Sequence, residues 1–236
     1  MEARGMNERI QKLRKQSVET DPRLYMERAD LMTDAYLKYE GSVSVPEMRA
    51  IAFKHFMEHK KLCINDGELI VGEKGDGPQK APTFPELCCH TLEDMKVMND
   101  RDLISFKVSK EDLELQEKKI IPYWKERSIR SRILRSMSEQ WKDCYGAGIF
   151  TEFMEQRGPG HTVGSNKIYE KGFVDYKKDI ADEMAKLDFL HDKEAFSRRE
   201  QLKAMDIACD AIIILGERYA RLAAEMAEKE KDPVRK

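Results

Sequence analysis

No stretch of this 236-residue chain approaches the roughly 20 consecutive apolar residues that a bilayer-spanning helix needs. The opening residues, MEARGMNERIQKLRKQS, carry charge where a secretory leader would be apolar. These absences predict a cytoplasmic chain with no membrane contact. A strong charge of either sign is also missing: 42 basic side chains nearly cancel 44 acidic ones, so no field would recruit nucleic acid or an anionic surface. Cysteine is scarce and unpatterned. The five residues, Cys63, Cys88, Cys89, Cys144 and Cys209, are odd in number and lack C-x-x-C spacing, which excludes a disulfide framework and a structural zinc site and predicts reduced thiols. There is no internal repeat, no low-complexity tract and no evident domain boundary.

What is present is mostly helical signal, with enough apolar residues, 41%, to build a core. Asp21 before Pro22 has the form of an N-cap followed by a first-turn proline. Tyr25, Ala29, Met32, Tyr36 and Tyr39 then recur at helical spacing until Gly41. Ser44 and Glu47 have capping-box spacing ahead of Met48, Ile51, Phe56 and Leu62, with Asn65-Asp66-Gly67 as the expected stop. ELIVG, Glu68 to Gly72, reads as one short strand, and the Gly- and Pro-rich EKGDGPQKAPTFP as an irregular loop. Further helices are expected over Pro85–Met98, Ser109–Lys119, Pro122–Met137, Trp141–Tyr145 and Tyr169–Leu190, with Pro122 separating two helical registers. A long last helix from about Lys193 carries Met205, Cys209, Ile212, Gly216, Tyr219, Ala223 and Met226 at alternating four and three spacing. The fold class is therefore mainly α with a short β element.

Several residue groups could carry chemistry. His55 and His59 stand one turn apart with Glu58 between them, but the pattern is not H-E-x-x-H and no third ligand is evident, so a helix face is the better reading and no metal is expected. Cys88, Cys89 and His90 are consecutive and would diverge by about 100° per residue on a helix, which favours buried thiols. GEKGDG, Gly72 to Gly77, has phosphate-loop glycine spacing, but Pro78 stands where the lysine belongs. Carboxylate pairs such as Glu93 and Asp94, Glu111 and Asp112, or Asp179 and Asp182 are what exposed faces of so charged a chain carry by chance.

The segment FMEQRGPGH, Phe153 to His161, differs in kind. Glycines crowd it (Gly146, Gly148, Gly158, Gly160) beside Pro159, and they set Phe150, Phe153, Arg157 and His161 on backbone that a ligand can approach closely. An aromatic wall, a fixed cation and a group that exchanges protons near neutral pH suit a binding pocket. A structural loop, with Arg157 on a helix C-terminus and His161 hydrogen-bonded inside, fits the same residues.

FMEQRGPGHTV resembles a motif of glycyl radical enzymes of the dehydratase and lyase branch. NDGELIVGEKGDGP (65–78), PTFPELCCHTLEDM (82–95), IIPYWKERS (120–128) and AMDIACDAIIILGERYA (204–220) resemble further segments of that family, so the likeness runs from about Arg9 to about Glu228. It implies the architecture of pyruvate formate-lyase, a ten-stranded α/β barrel wrapped in helices, of which this chain would supply outer helices and one pocket wall. It also implies that Phe153 packs on the substrate and that His161 joins its polar network, with Arg157, Gly158, Pro159 and Gly160 shaping the pocket. Gly158 departs from the family's Arg-Ala-Pro-Gly-His.

The family's Gly-Cys-x-Glu thiyl setting and Arg-Val-x-Gly-Tyr glycyl setting do not occur here. The resemblance therefore implies an N-terminal fragment, inactive alone, that binds no cofactor itself; the protein-derived glycyl radical would lie outside this chain. The implied reaction is loss of water from a small hydroxylated substrate, trans-4-hydroxy-L-proline first, in a homodimer activated anaerobically by an S-adenosylmethionine radical enzyme. Glycerol, propanediol or choline as substrate, or a non-catalytic helical interaction module, are the alternatives.

Overall fold

The computed structural model describes residues 7–150, 166–233 and 236. The chain divides into two compact units, Met1–Asp30 with Cys63–Pro159, and Leu31–Leu62 with Gly160–Lys236.

The first unit begins with α1 (Glu8–Glu19), whose N-cap Asn7 accepts from the Ile10 amide at 2.9 Å. A two-stranded parallel sheet follows, β1 (Arg23–Tyr25) paired with β2 (Lys80–Pro82) in the register Arg23 to Lys80. On the other edge of β1 the Lys107 amide donates to Pro22 O at 2.8 Å, and Leu24 N donates to Lys107 O at 3.0 Å. Asp21 and Pro22 therefore lead into a strand and not a helix, because two distant segments satisfy the backbone there. The expected strand at Glu68–Gly72 does not form: Leu69 and Ile70 are 79% and 91% exposed, and an apolar run without a pairing partner has no ladder to join.

Short helices complete this unit: α4 (Leu92–Asp100), α5 (Lys110–Leu115), a π turn (Gln116–Ile120), α6 (Ile121–Trp124), α7 (Ile129–Ser136) and α8 (Glu139–Gly146). The expected helix from Pro85 is a turn up to the Thr91 cap. The carbonyls of Glu86 and Leu87 instead accept the Ile129 and Arg130 amides of α7, at 2.9 and 3.0 Å. Pro122 does mark a change of helical register, since the π turn ends at Ile120 and α6 carries Pro122 at its start. The helix expected to continue to Met137 is interrupted at Lys125–Ser128, where buried Ser128 caps α7. Met95, Ile120, Tyr123 and Trp124 are buried here.

Carboxylates that could suggest acid–base pairs serve as caps and ion pairs. Asp94 completes a capping box with Thr91, Asp112 does so with Ser109, and Asp179 accepts from Lys171 at 2.6 Å.

Helix α2 (Glu27–Tyr39) begins in the first unit and continues into the second, followed by Gly41 in left-handed backbone at φ 78°. In the second unit, α3 (Val45–His59) starts at Ser44, which makes no side-chain cap bond; Pro46 lies in the first turn. The helix ends at His59, earlier than Asn65-Asp66-Gly67, which forms a separate turn with Gly67 at φ 84°. Further along the chain come α9 (Lys167–Glu170), α10 (Phe173–Ala185) and the 35-residue α11 (Ala195–Lys229). The first two replace the single helix expected over Tyr169–Leu190, with Gly172 at the break.

Helix α11 packs on α3 and α10. Alanines are buried on both long partners, Ala50 and Ala52 on α3 and Ala204 and Ala211 on α11, and small side chains permit close approach of helix axes. The expected α11 stripe is only partly the buried one: Cys209 and Tyr219 are buried, whereas Met205 is 52% exposed. Met32, Ala35, Met48 and Ala52 form a core against which Tyr36, Ile51 and Phe56 pack. Lys177 of α10 contacts Asp206 at 2.6 Å and Asp210 at 2.8 Å, and Asp210 meets Lys54 of α3 at 3.4 Å, so three helices share one charge network. Burial opposes the Lys177 charge, but the hydrogen bonds to Asp206 and Asp210 prevail and raise its pKa. Arg218 caps α3, donating to Met57 O at 2.5 Å and Lys60 O at 2.8 Å.

Candidate functional site

The pocket segment read from the sequence, Phe153, Arg157, Gly158, Pro159, Gly160 and His161, lies outside the described residues. Its approach from α8 is described, and the glycines there work as the sequence suggests. Gly148 takes φ 72° immediately after the C-cap Ala147. Its amide donates to Tyr145 O at 3.0 Å, and Ile149 N donates to Cys144 O at 3.0 Å, the paired bonds of a Schellman motif.

The chain so turned brings Phe150 back onto α8. Its ring lies 5.2 Å from Trp141 in an edge-on arrangement and 5.9 Å from Tyr145. Tyr145 is held in turn by Arg130 of α7, whose Nη2 donates to the phenol oxygen at 2.7 Å. The stem of the segment is therefore clamped by an aromatic trio and a guanidinium. Sequence reading placed Phe150 in the loop but missed this clamp; the i, i+4 spacing of Trp141 and Tyr145 on one helical face was the available signal.

Cys88, Cys89 and His90 sit in irregular backbone before α4. Gln116, buried at the start of the π turn, donates to His90 O at 2.6 Å and approaches Cys89 Sγ at 3.9 Å. Burial foremost, with the neighbouring Cys88 and Asp94, pushes the Cys89 thiol up to about 11. Burial also raises Cys209 and lowers His90. Such thiols stay protonated at neutral pH and are poor nucleophiles. All five cysteines are free.

The GEKGDG stretch borders a cleft of about 380 Å³ shared with Leu13, Gln16 and Ser17 of α1. Two carboxylates occupy its wall: Asn65 Nδ2 donates to Glu68 Oε1 at 2.8 Å and to Glu73 Oε1 at 3.1 Å. Lys74 and Lys80 line the same cleft, so its charges balance and supply no net positive field to draw a phosphate. Gly75 serves packing instead, since a Cβ there would stand 2.6 Å from Lys80 Cβ. On α3, the ligand atoms of His55, Glu58 and His59 lie within 4.8 Å of one another, so Glu58, which the sequence places between the histidines but which was not counted as a ligand, joins them as a third group.

Residues 6–236 match the pyruvate formate lyase-like family. The chain belongs to that family. It is 55% identical over 234 residues, 99% of its length, to a trans-4-hydroxy-L-proline dehydratase of Clostridioides difficile, and 31% identical over 225 residues to an isethionate sulfite-lyase of Oleidesulfovibrio alaskensis. It spans about 30% of the length of the first relative and 27% of the second. Among solved structures, the glycerol-bound B12-independent glycerol dehydratase of Clostridium butyricum superposes with a TM-score of 0.86 at 26% identity, over 99% of this chain and 30% of that one. A Roseburia inulinivorans structure concerned with 1,2-propanediol dehydration has the same TM-score and identity, over 98% and 28%. The expected fold class holds: this pyruvate formate lyase-like chain is helical with a very small sheet, and its structural neighbours include glycyl radical enzymes.

Proposed function

We propose that the chain is the N-terminal part of a glycyl radical dehydratase that eliminates water from trans-4-hydroxy-L-proline. One observation carries this reading: identity to a hydroxyproline dehydratase is 55% across the chain, against 31% to a sulfite-lyase and 26% to the glycerol and propanediol structures. All are similar in this region, so the graded identity, not the shared fold, favours the substrate.

In this reading Phe153 packs on the substrate ring and His161 joins its polar network. Arg157, Gly158, Pro159 and Gly160 shape the pocket, and the Arg130–Tyr145–Phe150 clamp fixes the chain at Phe150 ahead of them. Neither the Gly-Cys-x-Glu nor the Arg-Val-x-Gly-Tyr setting occurs in these residues. The hydrogen-atom abstraction by a cysteine thiyl and the glycyl radical that generates it therefore belong to the rest of the barrel, and this chain binds and orients. Residues 1–236 form one incomplete part of the family domain. The complete enzyme acts as a homodimer in an anaerobic cytoplasm after activation by an S-adenosylmethionine radical enzyme.

The test is to activate the complete protein anaerobically with that partner and follow trans-4-hydroxy-L-proline by mass spectrometry. A product lighter by one water supports the reading, and Phe153→Ala should then raise KM more than it lowers kcat. Untouched hydroxyproline with turnover of glycerol or propane-1,2-diol would overturn the substrate assignment.

A further inference from the structure

We propose that His55, Glu58 and His59, on the last turn of α3, form a binding site for a divalent transition-metal ion such as Zn²⁺. Helical geometry makes the convergence possible. Relative to His55, a residue three positions on is rotated back by about 60° and one four positions on is advanced by about 40°. Glu58 and His59 therefore straddle His55, although as neighbours they diverge. The result is three ligand atoms within 4.8 Å of one another, close enough for a single ion to replace their mutual contacts.

The second observation is the state of the rings. His59 Nδ1 lies 2.8 Å from the His55 carbonyl oxygen. A carbonyl only accepts, so Nδ1 carries the proton and Nε2 keeps its lone pair for a ligand. The imidazoles stand 4.1 Å apart, centroid to centroid, so two protonated rings would repel strongly, whereas an ion between neutral rings turns repulsion into shared coordination. Two imidazoles and one carboxylate suit Zn²⁺, Ni²⁺ or Cu²⁺ rather than Mg²⁺ or Ca²⁺. With three protein ligands the remaining position falls to water.

The experiment titrates metal-free protein with Zn²⁺ by calorimetry and with Co²⁺ by visible absorption at about pH 7.5. The expected result is one ion per chain without the intense near-ultraviolet band of thiolate ligation, and an affinity lower by roughly tenfold or more in each of His55→Gln and His59→Gln. Glu58→Gln should weaken binding to a smaller extent. On the unaltered protein, Zn²⁺ should shift the ring signals of both histidines in NMR spectra, which keeps the proposal testable if a variant misfolds. Absence of binding, a thiolate band, or an affinity unchanged in both histidine variants would overturn it.

Discussion

Arg28 of α2 grips Glu86 with both ends of its guanidinium, Nη1 meeting Oε2 at 3.1 Å and Nη2 meeting Oε1 in a second, shorter contact. The same Nη1 reaches Thr83 O at 3.3 Å, and the guanidinium carbon lies 4.0 Å from the centre of the Phe84 ring. Both side chains are largely withdrawn from water, at 15% and 20% exposure. A pair so placed does more than a surface ion pair, because its fork geometry and its stacking surface are both used.

Arg28→Lys keeps the charge but loses the second hydrogen bond and the flat face over Phe84. It should lower unfolding stability by about 1–2 kcal/mol, and Glu86→Ala, which leaves Arg28 without its carboxylate, by about 2–4 kcal/mol. Urea denaturation of the variants measures both. If Arg28→Lys proved as stable as the parent, charge alone would suffice there.

Stability should also depend on pH through His90, which burial, assisted by Arg130 and opposed by Asp94, holds below its ordinary value of 6.5. The sign follows from which state takes up protons first. The unfolded chain protonates this ring at a higher pH than the folded one does, so His90 is without penalty above about 6.5, and stability is lost as pH falls below that value and through the folded pKa. His55 is depressed as well and contributes in the same sense. Denaturation midpoints measured between about pH 7.5 and pH 5.5 should fall, and His90→Gln should flatten part of that slope. An unchanged slope in the variant would place the dependence elsewhere.

What could be read from the chain in advance were features carried by neighbours in sequence. Gly41 ends α2, the helix expected from Ser109 starts there, and the length of α11 follows its apolar recurrence, because each depends on contacts within a few residues. Features made by distant residues were hidden. Arg23–Tyr25 became a strand because Lys80–Pro82 and Lys107 lie alongside, which nothing near Asp21-Pro22 announces. Arg28 and Glu86 are 58 positions apart. Leu69-Ile70-Val71 carried strand propensity without a partner. In the candidate site, the glycines around Phe150 were legible as a turn, whereas the clamp depends on Arg130 of α7 reaching Tyr145 of α8, 15 positions away. Residue chemistry alone slightly favoured a structural loop over a pocket for Phe153 and His161, and only likeness along the whole chain favours the pocket.

Gly75 tests what the GEKGDG glycines are for. A Cβ there would sit 2.6 Å from Lys80 Cβ, 2.9 Å from Lys80 Cγ and 3.0 Å from Tyr25 Cδ1, and the first of these atoms is fixed to the β2 backbone. Gly75→Ala must therefore push β2 from β1 or displace the loop, and should cost about 1–3 kcal/mol as overpacking does elsewhere. Gly77 is the internal control: its nearest neighbour would be Lys80 Cε at 4.0 Å, an ordinary contact with the end of a flexible side chain. Gly77→Ala should thus leave the unfolding midpoint within about 0.5 kcal/mol of the parent. If instead both substitutions were tolerated and added phosphate or nucleotide stabilised the parent but neither variant, the glycines would be making room for a ligand, and the strand-packing account of Gly75 would fail.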